Sequence, residues 1–214
     1  MSKVAIVTGA SRGLGAALAE ALAKDHHVIA IARTSGGLED LDDRIRAAGG
    51  SATLVPVDLA DSDACAAVCR SIRERWGHAD LWVHAAVHVA PLAPAAHLDP
   101  KDLAKSLDTN VAATATLIAC LAPLLEAAED GTAVFFDDPR AGERFFSAYG
   151  ATKAAQVSLA RCWAAETART GPRVVILSPP PMPTATRARF FPGENRSALT
   201  PPGAAALGIL AAIR

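Results

Sequence analysis

The chain holds a single tyrosine and two methionines, and its aromatic residues make up 5% of the total. It also has almost no net charge, with 21 Lys and Arg against 22 Asp and Glu. The basic residues are scattered, so the electrostatic footprint of a nucleic-acid binder or of an anionic-membrane binder is missing. Apolar runs are interrupted by charge or proline before they reach bilayer length. The N-terminus lacks the basic-then-apolar order of a signal peptide, and a cytoplasmic protein is expected. Four cysteines, Cys65, Cys69, Cys120 and Cys162, fall in alanine-rich helical stretches without a His or Cys at finger-like spacing. Buried free thiols are expected there, with neither a disulfide framework nor a metal site. At 214 residues, with no composition break that reads as a linker, residues 1–214 are expected to form one domain.

What the chain does have is a glycine-rich turn in a telling place. Thr8-Gly9-Ala10-Ser11-Arg12-Gly13-Leu14-Gly15 lies between the apolar run Val4 to Val7 and an alanine-rich helical stretch, Ala16 to Lys24. A strand that turns sharply into a helix presents the free N–H groups and positive dipole end of that helix to a ligand. Glycines let the backbone approach it without a Cβ in the way, and a phosphate is the natural guest.

Strand and helix then alternate. Strands are expected at Lys3 to Thr8, Val28 to Ala32, Thr53 to Val57, Leu81 to Ala85, Thr132 to Phe136 and Val174 to Leu177. Between them, Gly36-Gly37 reads as a break before a helix around Leu38 to Ile45 that Gly49-Gly50 stops. Asp61 caps Ser62 to Trp76, and Asp99-Pro100 opens a long helix to about Leu125 with Asn110 near its middle. A second long helix runs from about Phe146 to Arg169. The stretch after the prolines at 179–183 reads as irregular, and a last helix covers Gly203 to Ile213. This alternation means βαβ units: an α/β fold with a doubly wound parallel sheet of about six strands and helices on both faces. Ligands bind such sheets beyond the carboxyl ends of the strands, where the strand order reverses.

After the second strand, where a site that prefers NAD carries an acidic residue about twenty positions past the glycines, this chain has Arg33-Thr34. A guanidinium fits the 2′-phosphate of NADP, and Arg12 can supply a second cation, so NADP(H) is expected over NAD(H). Asp58, at the end of the third strand, either accepts from an adenine amino group or caps a turn. Tyr149 and Lys153 are spaced i, i+4, which puts phenol and ammonium on one helix face. A nearby cation favours the phenolate and draws a pKa of about 10 toward the working range of an acid/base catalyst.

Thr8-Gly9-x3-Gly13-x-Gly15, Asp58, Asn110, Tyr149-x3-Lys153 and the stretch from Pro179 to Thr184, in this order, resemble the short-chain dehydrogenase/reductase family over nearly the whole chain. The resemblance implies a Rossmann-type oxidoreductase that moves hydride between NADP(H) and a small-molecule carbonyl or alcohol. In that reading Tyr149 is the acid/base, Lys153 holds the nicotinamide ribose and tunes the tyrosine, and Asn110 positions a water. Pro179, Met182 and Thr184 hold the carboxamide, while Gly9, Ser11, Arg12, Gly13, Leu14, Gly15, Arg33, Asp58, Leu59, Ala85 and Ala86 line the dinucleotide. The chain departs from the pattern in three places. Where the family has an active-site serine it reads Phe135-Phe136-Asp137-Asp138-Pro139, and an ionised carboxylate there would repel a developing oxyanion. Either Asp137 or Asp138 is protonated and donates, or Ser147 or Tyr149 serves alone, or carbonyl reduction is lost and a dinucleotide-binding sensor or interaction module remains. His84-Ala85-Ala86-Val87 replaces the family's Asn-Asn-Ala-Gly, with His84 expected as a hydrogen-bonded structural residue and Val87 tightening the pocket. The usual seventh strand has no counterpart, so a homo-oligomer is expected to use the two long helices. The loop from Pro183 to Leu199, with Arg187, Arg189 and Arg196 among Phe190 and Phe191, is a candidate lid over an anionic or aromatic substrate, the alternative being arginines that face solvent or a neighbouring subunit.

Overall fold

β1 (Lys3–Thr8) alternates its side chains between two cores. Ala5 and Val7 enter one, Val4 and Ile6 the other, and all four are fully buried. A computed structural model describes residues 3–213, and Met1, Ser2 and Arg214 of the expected 1–214 unit lie outside the described residues. β2 (His26–Ala32), β3 (Ser51–Pro56), β4 (Leu81–His84), β5 (Thr132–Phe136) and β6 (Arg173–Leu177) complete a six-stranded sheet. All its pairings are parallel, in the order β3-β2-β1-β4-β5-β6. The chain winds outward from β1 in both directions, so β1 and β4 flank the switch point, where Thr8 lies opposite Ile31 and His84.

On one face pack α1 (Gly13–Leu22), α2 (Ser35–Ala47) and α8 (Pro202–Ile213) through Leu18, Leu22, Leu38, Leu41, Ile209 and Leu210. On the other lie α3 (Ser62–Trp76), α5 (Ala113–Glu126) and α6 (Ser147–Glu166), which bury Ile72, Leu117, Leu121, Leu124 and Trp163 against Trp82 and Phe135. Asp61 caps α3 by accepting from the Ala64 amide, and Gly77 ends it at φ 77°. Asp99 caps α4 (Pro100–Leu107) ahead of the proline at its start.

The structure departs from the sequence expectation in several places. α1 begins at Gly13 rather than Ala16, so the last glycines form its first turn. α2 begins at Ser35, and Gly36 and Gly37 are its first turn rather than a break. A Cβ at Gly37 would stand 2.9 Å from both Cβ and carbonyl oxygen of Ser11, so the glycine lets α2 close onto the glycine loop. The helix from Pro100 to Glu126 carries a π turn at Asp108–Ala112, around Asn110. The prolines are followed by a short helix, α7 (Ala185–Phe190), with the Thr184 side chain as its cap. The continuous helix Pro100–Glu126 is also long and apolar enough to cross a bilayer by length and composition, contrary to the sequence expectation. Its leucines at 117, 121 and 124 belong to the core against the sheet. Cys65 and Cys69 are buried free thiols, pushed up by burial to about 11 and about 12, whereas Cys120 is half-buried and Cys162 exposed, contrary to the expectation for all four.

Candidate active site

A cleft of about 940 Å³ opens beyond the carboxyl ends of β1, β4 and β5. Each residue that the sequence assigned to the dinucleotide lines it: Gly9, Ser11, Arg12, Gly13, Leu14, Gly15, Arg33, Asp58, Leu59, Ala85, Ala86, Tyr149, Lys153, Pro179, Met182 and Thr184. The glycines make the space. Gly9 has φ 81°, and a Cβ there would stand 2.6 Å from the Ala86 amide nitrogen; a Cβ at Gly15 would overlap the Gly9 carbonyl oxygen. Gly13, at φ 59°, faces the Thr184 methyl across the cleft. α1 and α2 begin here without a side-chain cap, so their first N–H groups remain open to a ligand. The exposed Arg12 and Arg33 line the same end, and among the described residues neither meets a carboxylate. A glycine cradle, open helix N-termini and free guanidiniums suit a phosphorylated dinucleotide. Asp58 accepts from the Ala60 amide at 3.1 Å, so it caps a turn while it faces the cleft.

The other end of the cleft is paired internally. Tyr149 is 5% exposed, and its hydroxyl donates to Asp138 Oδ2 at 2.9 Å. Arg140 forks onto the same carboxylate, Nε to Oδ1 at 3.0 Å and Nη2 to Oδ2 at 2.8 Å, and its backbone amide donates to Oδ1 at 3.1 Å. Burial pushes the Asp138 carboxyl up, but the Arg140 guanidinium and amide and the Tyr149 hydroxyl outweigh it, and the group sits below its usual range. Asp138 is therefore ionised, not a protonated donor. Tyr149 shifts opposite to the sequence expectation: burial, then the charge of Asp138, pushes it well above the ordinary phenol range. The expected cation does not reach it. Lys153 Nζ donates to Gln156 Oε1 at 2.7 Å, and burial lowers the ammonium to about 8, with Asp138 and Asp137 opposing. Ser147 donates to the Ala93 carbonyl at 3.0 Å and does not line the cleft.

Asn110 stands behind the site rather than in it. It is fully buried; its Oδ1 accepts from the His88 amide at 2.6 Å, and its Nδ2 donates to the His88 carbonyl and to Thr152 Oγ1, each at 3.0 Å. Its carbonyl accepts from Thr114 Oγ1 at 2.8 Å. With that proton spent, Thr114 accepts from Gln156 Nε2 at 3.0 Å and from His84 Nε2 at 2.9 Å. His84 then carries its proton on Nε2, and Nδ1 accepts from Thr8 Oγ1 at 2.7 Å. Burial first, then Lys153, lowers His84 to about 3, which makes it a neutral structural bridge. The network ties Lys153 to β1 and β4 with little freedom left.

Sequence reasoning missed Arg140 and Phe146, and placed Phe190 in a lid rather than against Tyr149. Arg140 lies over Phe146 and Phe191, at 5.4 and 5.2 Å from the ring centroids. Phe190 packs on Tyr149 with centroids 4.9 Å apart, and Val87 joins this cluster. An arginine two residues past an aspartate was the available sign of the fork. Of the expected lid arginines, Arg187 is held by both oxygens of Glu194, at 2.6 and 2.5 Å, while Arg189 and Arg196 are exposed.

The family model for short chain dehydrogenase matches residues 3–195. The chain belongs to the short chain dehydrogenase family. Among curated proteins it is similar to a fatty acyl-CoA reductase of Acinetobacter baylyi, 31% identical over 77% of this chain and 57% of that protein. It is similar also to an uncharacterized oxidoreductase of Mycobacterium tuberculosis, 36% identical over 72% and 59%. A cis-4-hydroxycyclohexanecarboxylate dehydrogenase of Sinomonas cyclohexanicum is 30% identical over 83% and 72%. The chain thus spans under three fifths of the length of the first two. Among solved structures, a short chain dehydrogenase from Pseudomonas syringae superposes with a TM-score of 0.89 at 28% identity, over 94% of this chain and 84% of that one. One from Shigella flexneri complexed with NADP gives 0.88 at 26%, over 94% and 86%.

Proposed function

We propose that this short chain dehydrogenase is an NADP(H)-dependent oxidoreductase that moves hydride between the nicotinamide and a carbonyl or alcohol of a small molecule. The observation that carries the reading is the cleft itself, in which the glycine cradle, the open starts of α1 and α2 and the unpaired Arg12 and Arg33 converge at one end and Tyr149 stands at the other. The reduced dinucleotide supplies hydride when bound. Arg12 and Arg33 hold the 2′-phosphate, the α1 amides hold the pyrophosphate, Lys153 holds the nicotinamide ribose, and Pro179, Met182 and Thr184 hold the carboxamide. Tyr149, kept neutral by burial and by Asp138, is in the donating form and gives its proton to the reacting oxygen. Fatty acyl-CoA reductase and dehydrogenase relatives and the NADP complex among structural neighbours support the class.

A second reading, a dinucleotide-binding sensor with little turnover, draws on the pairing of Tyr149 with Asp138 under Phe190. A screen of aldehydes, ketones and alcohols by NADPH or NADP⁺ absorbance separates the two. Turnover that disappears in Tyr149→Phe supports the enzyme. Tight NADPH binding without turnover across the panel supports the sensor.

A further inference from the structure

We propose that Asp138 sets the substrate class of this site, favouring a protonated C=N group, an iminium, over a neutral carbonyl. The inference rests on the reading of the cleft as a hydride-transfer site and replaces the carbonyl of that reading with the isoelectronic protonated C=N group. Asp138 lines the cleft beside Tyr149, its side chain 11% exposed, and Arg140 holds it ionised by a two-pronged contact. The charged groups lining the reacting end are Lys153, Arg140 and Arg187 against Asp137 and Asp138, and Arg187 is already matched by Glu194. Asp137 is also met at 3.4 Å by Arg161 on α6, whose side chain is largely exposed. A serine at position 138 would leave this end with a positive excess, suited to an oxygen that gathers negative charge as hydride arrives. The aspartate cancels that excess.

A carbonyl approaching Tyr149 turns its lone pairs toward Asp138 Oδ2, so the carboxylate opposes it both in the ground state and as charge develops. An iminium presents an N–H donor and a positive charge to the same atom. Exchange of the Tyr149 hydroxyl for the substrate N–H on Oδ2 replaces a hydrogen bond in which only the acceptor is charged with one in which donor and acceptor carry opposite charges. The carboxylate also holds the imine nitrogen in its protonated, electrophilic form. Electron counting closes without a proton from the protein. Hydride supplied by the reduced dinucleotide forms a C–H bond at the iminium carbon, the C=N π pair becomes the nitrogen lone pair, and an amine and the oxidised dinucleotide result. That suits a tyrosine held protonated with its ammonium partner engaged elsewhere.

The test is calorimetric binding of tetrahydroisoquinolinium, a cation, against tetralol, its neutral alcohol counterpart, to wild type, Asp138→Asn and Asp138→Ser, with and without NADPH. NADPH-driven reduction of dihydroisoquinoline against tetralone is measured alongside. The expected result is at least tenfold tighter binding of the cation in wild type, lost in both variants, with the imine-to-ketone rate ratio falling at least tenfold in the same variants. Equal binding of cation and alcohol in wild type, a preference that survives both substitutions, or a ketone reduced faster than the imine would overturn the proposal. Retention of the cation preference in a protein that fails to bind NADPH would uphold the selectivity of Asp138 and overturn the hydride-transfer reading.

Discussion

Arg12 and Arg33 at one end of the cleft and Arg140 and Arg187 at the other put the same side chain to opposite uses. The first two meet no carboxylate among the described residues and sit beside helix starts that no side chain caps. The second two have their forks filled, by Asp138 and by Glu194. An exposed guanidinium is solvated while it lacks a partner, whereas one packed among Phe146, Phe190 and Phe191 has to be neutralised from within the chain. One end of the site is therefore completed from outside, by an anion, and the other is complete before any substrate arrives. The preference between NADPH and NADH should then depend on the open end, and the choice of reaction on the closed one.

The comparison can be broken most forcefully at Tyr149. Tyr149→Phe should lower the rate of any carbonyl reduction by roughly 10²- to 10⁴-fold, while NADPH affinity by fluorescence titration stays close to wild type. A matching loss of NADPH affinity would show that the two ends are not separable.

Lys153 belongs to the closed end and titrates there. Burial lowers it to about 8 from 10.5, so between these values the unfolded chain binds more protons than the folded one. Stability should rise with pH across that window, and the full cost of burial remains below it. Relative to Lys153→Met, dinucleotide-free wild type should gain on the order of 3 kcal/mol between pH 7 and pH 10.5, measured by urea unfolding at several pH values. A gap that does not change with pH would contradict the buried, lowered ammonium.

Gly9→Ala acts on the open end. The added methyl meets the Ala85 and Ala86 backbone at φ 81°, where an L side chain is strained. A loss of about 2 kcal/mol of stability and of measurable NADPH binding is expected. Unchanged calorimetric affinity would mean that the loop does not cradle the pyrophosphate. The smallest effect belongs to Arg33→Ala, roughly 1 kcal/mol or somewhat more against NADPH and close to nothing against NADH. Equal losses for both would remove the 2′-phosphate assignment.

The two ends were also unequally legible in the sequence. Glycines with positive φ, a strand-turn-helix order and a basic residue after β2 are local signals, and the sheet carries each to the predicted place because parallel strands align their carboxyl ends. The closed end depends on how side chains turn in the loop 137–146 and on contacts between distant segments. The Tyr149–Lys153 spacing put both groups on one face of α6, yet Gln156 on the same helix took the ammonium and Asp138 took the phenol. The π turn at Asn110 adds one residue to a helical turn, which periodicity does not reveal. It aims the amide at His88 rather than at the cleft. α7 is six residues long and follows a run of prolines, too short to stand out by periodicity.

The account is tested most directly by calorimetric titration of the dinucleotide-free protein with NADPH and, separately, with NADH. Binding of NADPH at least tenfold tighter than NADH is the predicted result if Arg12 and Arg33, which meet no carboxylate among the described residues, hold the 2′-phosphate as proposed. Equal affinities, or no binding of either nucleotide, would contradict it.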